Sequence, residues 1–240
     1  MRLLTWNIHK GIGGVDRRYD PARIVDAIRH EQPDIVCLQE VDHLVRRSRH
    51  HDQPDLLARE LGFPVRLYQL NVKLKEGGYG NLILSSWEFA TKHQISLKRG
   101  WRKSRGAQIV VVNAPTGPLR LVNWHLGLAE GERHWQARHL MEHSLFREGG
   151  AHPSVVAGDT NDWRDTLGRG VFQPAGFRQA THPLSRFRTF PAWAGLGALD
   201  KVFVCDRVRV DRIHAVRTKL TRRASDHLPV VVDFEVEKGG

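Results

Sequence analysis

Cysteine is nearly absent from this chain: two residues, Cys37 and Cys205, among 240. Each sits inside an apolar run, "DIVCLQE" and "KVFVCD". That number and placing exclude a disulfide framework or a cysteine metal site, and fit small core residues in a reducing compartment. Also lacking is any apolar stretch near the ~20 residues that a bilayer-spanning helix needs. The first working motif starts at Thr5, which leaves no room for a removable leader, so a cytoplasmic location is expected. No fixed-period repeat and no long linker divides the chain, so a single domain over residues 1–240 is expected. Acidic residues are scarce: 26 against 37 Lys and Arg, a formal net charge of +11 with histidine neutral. Such an excess favours an anionic partner, whether nucleic acid, polyphosphate or an acidic membrane surface. Arginine enrichment in a GC-rich genome produces the same excess, so composition alone does not choose among them.

What is present is a series of short β-branched apolar runs: "RLLTWNI", "DIVCLQEV", "NLILSS", "AQIVVVNA", "LRLVNWHL", "SVVAGD", "LDKVFV", "VRVDRIHAV" and "LPVVVDFEV". Most are four to eight residues long and bounded by Gly, Pro or Asp, which is the pattern of buried strands. Helical patterns lie between some of them. "YDPARIVDAIRHEQP" offers Asp20 as N-cap and Pro21 in the first turn, and "QPDLLARELG" ends at Gly62. "EGERHWQARHLMEHSLFREGG" is the longest, with Trp135, His139 or Leu140, and Met141 or Ser144 expected on its inner face. Strands and helices without strict alternation point to an α/β sandwich with a largely antiparallel core, not a Rossmann sheet.

The chemistry lies where strands end. Asn7 and His9 follow the first run, Gln39 and Glu40 the next, Asn123 and His125 another, and Asp159 and Asn161 the "SVVAGD" run. Asp200 opens "LDKVF", and Ser225, Asp226 and His227 precede the last run. Strand ends and the loops after them are where a rigid scaffold presents reactive groups. Carboxylates and amides are hard oxygen donors suited to Mg²⁺ or Mn²⁺, and His with carboxylate is what general-base activation of water requires.

As an ordered set, "TWNIH", "DIVCLQEV", "YGNLILSS", "NWHLG", "GDTND", "LDKVF" and "SDHLPV" resemble the endonuclease/exonuclease/phosphatase superfamily, from Thr5 to Val230. That resemblance implies a deoxyribonuclease-I-like four-layer α/β/β/α sandwich of two mostly antiparallel sheets. It implies a metal at Glu40 with Asn7 beside it and Asp226 assisting, and a scissile phosphate contacted by His125 and Asn161. Asp159 would position or deprotonate the attacking water, or protonate the leaving group. His227 would serve as base or as a phosphate-stabilising cation oriented by Asp200. Asn81 and Arg105 match recurrent positions, the first to hold a loop and the second to contact phosphate or a carboxylate. The sequence departs from the family pattern at Thr160, where an aromatic is common, and at Lys201, where tyrosine is common. The Tyr-bearing segment of exonuclease-III-like enzymes is absent, which puts an abasic-site repair role in doubt.

Other features compete for attention. His134, His139 and His143 share one expected helix, but no Glu stands where a helical zinc protease needs it, so packed or solvated histidines are expected. "RHHD", His50 to Asp52, is expected to be a solvated loop. Four basic segments, "VRRSRHH", "KRGWRKSR", "SRFRTF" and "TKLTRRA", flank the site elements and would rim a polyanion site. Trp101 and the aromatics of "FRTFPAW" are placed to stack on bases, although Phe190 and Trp193 are expected to pack over the sheet. The resulting expectation is a monomeric, Mg²⁺- or Mn²⁺-dependent phosphodiesterase on DNA or RNA, without an obligate protein partner. The alternative is an enzyme for a lipid head group or small phosphorylated metabolite, with anionic lipid as partner. A non-catalytic polyanion-binding module is disfavoured because Glu40, Asp159, Asp200, Asp226 and His227 all remain.

Overall fold

The computed structural model describes residues 1–148 and 152–237. Two six-stranded sheets face each other. One holds β1 (Arg2–Asn7), β2 (Ile35–His43), β3 (Val65–Lys73), β4 (Gly78–Ser85), β11 (Val208–Ala215) and β12 (Val230–Val236), in the order β11-β12-β1-β2-β4-β3. The other holds β5 (Phe89–Ser96), β6 (Gly106–Ala114), β7 (Gly117–His125), β8 (Ser154–Asp159), β9 (Phe177–Gln179) and β10 (Asp200–Cys205), in the order β5-β6-β7-β8-β10-β9. Only β1–β2 and β7–β8 pair in parallel; the other neighbours are antiparallel, as expected.

Three apolar layers follow from strand alternation, because successive side chains point to opposite faces. Leu3, Cys37, Ile83, Val110, Leu121 and Val155 fill the space between the sheets. Leu4, Trp6, Val36 and Leu84 point outward instead, against α1 (Pro21–Glu31), α2 (Gln53–Leu61) and α5 (Lys219–Ala224). On the far side, Ile109, Trp124, Val156 and Phe203 meet α3 (Glu130–Glu142) and α4 (Ser144–Glu148). The four-layer order α/β/β/α is therefore present. Each fully buried Leu, Ile or Phe contributes about 1.5–3 kcal/mol, so the layers are held by burial rather than by surface pairs.

Local differences from the sequence reading have physical causes. The long helix breaks at His143 into α3 and α4, and its buried face is Arg133, Gln136, Ala137 and Leu140. Trp135 lies outside that face, stacked on His139 at 4.8 Å, because Arg133 and Gln136 find buried hydrogen-bond acceptors and displace it. Asp20 stands at the start of α1 but pairs with Arg23 at 2.9 Å instead of capping a backbone amide. "RHHD" is more engaged than a solvated loop. The His51 ring meets the Tyr19 hydroxyl at 2.9 Å, and the Asp52 side chain caps α2. Cys37 is buried, while Cys205 is half-buried at the end of β10. No helix is long and apolar enough to cross a membrane among the described residues.

Candidate active site

Register brings the polar strand ends to one end of the sandwich. His125 stands opposite Asp159 in the β7–β8 pair, and Asp159 stands opposite Asp200 in the β8–β10 pair. Asn7 ends β1 beside Gln39 of β2, and the segment before Val230 returns to the same end because β12 runs antiparallel to β1. A glycine is required at position 158, where φ is +143° and a Cβ would meet the Trp124 carbonyl oxygen at 2.1 Å. That close approach lets β8 lie against β7 and present Asp159.

The centre is a line of buried groups. His227 Nδ1 lies 2.9 Å from Asp200 Oδ2, and the same oxygen accepts from Thr189 Oγ1 at 2.5 Å. On its other side, His227 Nε2 lies 3.7 Å from Asp159 Oδ2. Asp159 Oδ2 also accepts from Asn7 Nδ2 at 2.9 Å and lies 3.4 Å from His125 Nε2. Asn161 closes the circle: its backbone N–H donates to Asp159 Oδ1 at 2.9 Å, and its amide nitrogen sits 3.2 Å from His125 Nε2. Phe190 covers His227, with ring centroids 4.7 Å apart, and shields it from water.

Burial and neighbouring charge then set the protonation states. Burial alone would lower the His227 pKa, but the Asp200 and Asp159 carboxylates outweigh it and raise it to about 10. Asp159 is pushed up to about 6, first by burial and then by Asp200, against the opposing pull of His227. Burial and the Arg105 guanidinium hold His125 well below the usual histidine range, so it is neutral. Glu40 lies far below the usual carboxylate range: burial pushes it up, but the Lys10 ammonium paired with it prevails. Near neutral pH the site thus combines an imidazolium, a neutral imidazole, an ionised Glu40 and a carboxylate near its titration point.

Glu40 is carried by a bulge in β2 between Leu38 and Val41, with φ +56°. His9 (φ +45°), Lys10 (+65°) and Asn161 (+50°) are likewise left-handed. Such backbone is uncommon outside glycine, and at these positions it sets the directions of the site side chains. Lys10 forms an ion pair with Glu40 Oε2 and lies 5.5 Å from the Tyr79 ring centroid. The sequence reading passes over Lys10, because its pairing depends on the Glu40 bulge that β2 brings opposite it.

The remaining expectations divide. Arg105 is buried, its Nε has no hydrogen-bond partner among the described residues, and it acts electrostatically on His125. Asn81 is buried between the sheets, where its amide donates to the Gly106 carbonyl at 3.0 Å and holds the strand that follows Arg105. Asp226 lies at the rim, its carboxylate 3.8 Å from His9 Nε2. Thr160 turns away from the site: both its N–H (2.9 Å) and its hydroxyl (2.7 Å) donate to the Leu199 carbonyl. Lys201 is fully buried behind the site, donating to Asp162 at 3.0 Å and to Asp165 at 2.5 Å. Asp162 also accepts from the Leu167 N–H at 3.0 Å and so caps the turn that follows. Trp193 does not pack over the sheet; it is 63% exposed, because Phe190 takes the place against His227.

Donor chemistry decides whether a divalent cation fits. Asp159, Asp200 and His227 bring their ligand atoms within 4.8 Å of one another. His227 is cationic there, however, and an imidazolium holds no metal. The ionised Glu40 carboxylate, the Asn7 side-chain oxygen and the rim carboxylate of Asp226 are the hard oxygen donors that fit Mg²⁺ or Mn²⁺.

Comparisons with known proteins bear on the family and the fold. Residues 4–227 match the model of the Endonuclease/Exonuclease/phosphatase family. The chain is 31% identical to the protein YbhP of Escherichia coli (strain K12) over 245 aligned positions, covering 98% of this chain and 96% of YbhP. An endonuclease/exonuclease/phosphatase structure from Beutenbergia cavernae DSM 12333 superposes with a TM-score of 0.84 at 24% identity, over 99% of this chain and 72% of that one. A mannosyl-6-phosphatase of Bacteroides thetaiotaomicron VPI-5482 superposes with a TM-score of 0.72 at 16% identity, over 98% and 99%.

Proposed function

The chain belongs to the endonuclease/exonuclease/phosphatase family, and from that premise we propose that it is a divalent-metal-dependent phosphodiester hydrolase acting by in-line attack of an activated water. The observation that carries this reading is the buried line Asp200–His227–Asp159, flanked by His125 and Asn161. A diester is anionic and repels hydroxide, so its hydrolysis needs fixed positive charge, aimed donors and a proton acceptor in a water-poor site. Glu40 and Asn7, with Asp226 at the rim, would hold Mg²⁺ or Mn²⁺, which when bound supplies charge neutralisation and a more acidic water.

The side chains take the other roles. Asp200 fixes the orientation of the His227 ring and keeps it protonated, so His227 acts as a cation toward phosphate rather than as a free base. Asp159, raised to about 6, is matched to accept the proton of the attacking water near neutral pH. His125 and Asn161 orient the phosphate oxygens, and Arg105 adds positive charge beside them. Two substrate classes compete: nucleic acid, and a phosphorylated lipid head group or small metabolite. The basic loops suit both, and the fold does not choose. Exposed aliphatic side chains at the mouth favour the lipid.

The test uses bis(p-nitrophenyl) phosphate with Mg²⁺ or Mn²⁺. Asp159→Asn and His227→Ala are each expected to lose about 10²–10⁴-fold in kcat/KM while keeping the far-ultraviolet circular dichroism of the parent. Full activity in both folded variants would overturn the assignment.

A further inference from the structure

The exposed large apolar side chains are not scattered over the molecule. Strand direction sorts every loop to one end or the other, and the catalytic end is fixed by Asn7, His125 and Asp159. Trp101, 98% exposed, lies in the loop before β6, whose first residue Gly106 pairs with His125. Leu128 (73%) follows β7 at that same end. Trp163 follows the Asp159–Asn161 turn, and Trp193 and Leu196 lie in the loop that leads into Asp200. Val15 is carried by the loop after β1, whose Gly14 abuts Asp226. Leu44, Leu70 and Leu74 cluster at the far corner of the same end, where β2, β3 and β4 meet. Among the described residues, no other large apolar side chain is exposed; Trp87, at the opposite end, is half-buried.

Basic residues flank several of these tips. Trp101 stands between exposed Arg99, Arg102 and Lys103; Leu74 lies between Lys73 and Lys75; Arg164 follows Trp163. On this side Glu130 and Glu132 are paired, with Arg164 at 3.6 Å and Arg102 at 3.5 Å. From the exposed Trp163 an aromatic path leads inward to Phe190 (5.9 Å) and on to the catalytic His227 (4.7 Å).

We propose that the catalytic end of this molecule docks on the surface of an anionic phospholipid bilayer, its apolar loop tips entering the head-group region and its basic residues pairing with lipid phosphate. The proposal rests on the hydrolase reading and gives it a substrate location. Tryptophan at a loop tip suits the interface, where its ring is half in the apolar phase and its N–H stays wet. Basic residues beside it add attraction to anionic lipid. Aliphatic tips such as Val15, Leu128 and Leu196 gain nothing from base edges or a sugar-phosphate backbone, whereas a bilayer buries them. A patch concentrated around one mouth marks an interaction surface.

The experiment is vesicle co-sedimentation with phosphatidylcholine alone and with equal parts phosphatidylcholine and phosphatidylglycerol, at low and high salt. Hydrolysis of bis(p-nitrophenyl) phosphate is measured on the same samples. The parent is expected to sediment with the anionic vesicles and to release in part at high salt. The triple variant Trp101→Ser, Trp193→Ser, Leu196→Ser is expected to bind at least about tenfold more weakly while hydrolysing the soluble diester as the parent does. A parent that cleaves the diester but stays off anionic vesicles overturns the docking and leaves the hydrolase standing. A parent that binds vesicles yet cleaves no phosphoester upholds the docking surface and overturns the hydrolase. Binding to double-stranded DNA that the triple variant weakens, without vesicle binding, assigns the surface to nucleic acid and overturns the proposal.

Discussion

Asp159 and His227 sit 3.7 Å apart, yet each raises a different limb of the pH dependence. Asp159 must be ionised to accept a proton, so activity falls as pH drops through about 6. His227 must be protonated to stabilise phosphate, so activity falls as pH rises through about 10. A kcat/KM profile against the soluble diester is therefore expected to be a broad bell, and Asp200→Asn is expected to bring its alkaline limb down toward neutrality, because the largest stabiliser of the imidazolium is gone. An unmoved alkaline limb would separate Asp200 from His227 in function. The site residues themselves were legible, since strand-end placement and residue order both marked them. Lys10, Thr189 and the true partners of Thr160 and Lys201 were not legible. Their roles depend on which groups other strands and loops bring opposite them, and no local pattern records that.

Elements tell a parallel story. The strands at the centres of both sheets announced themselves as near-continuous apolar runs because both of their faces are covered. β3, β5 and β9 escaped notice; all are edge strands, and β3 and β5 each pair on one side only. β5, "FATKHQIS", is mostly exposed and needs no apolar run to hold its place. The segment after β8 is secured from behind by Lys201, whose ammonium outweighs burial and keeps the Asp162 carboxyl below the usual range. Lys201→Met leaves the buried Asp162 charge to Arg133 alone, 3.8 Å away, and is expected to lower stability by about 3 kcal/mol in urea unfolding. Adding Asp162→Asn to it is expected to recover a substantial part. Equal loss in single and double variants would show that the pair is not coupled.

For the molecule as a whole, a layer of amides beneath the site joins the two sheets. Asn123 of β7 donates to the Leu38 and Leu82 carbonyls of the facing sheet and to Gln108, and accepts from Gln39 at 2.8 Å. Asn123→Ala removes the amide from this layer and leaves buried partners unmet, so a loss of about 3 kcal/mol or more is expected, with kcat falling as the sheets lose their register. Calorimetry and diester turnover on one preparation check both. β1 also has a consequence in time. Its neighbours are β2 and β12, and β12 is synthesised last of the strands. During synthesis the first strand must wait, one edge unpaired, until the segment that carries β12 has left the ribosome. His227 arrives only then, so a chain that stops short of it lacks the line Asp200–His227–Asp159.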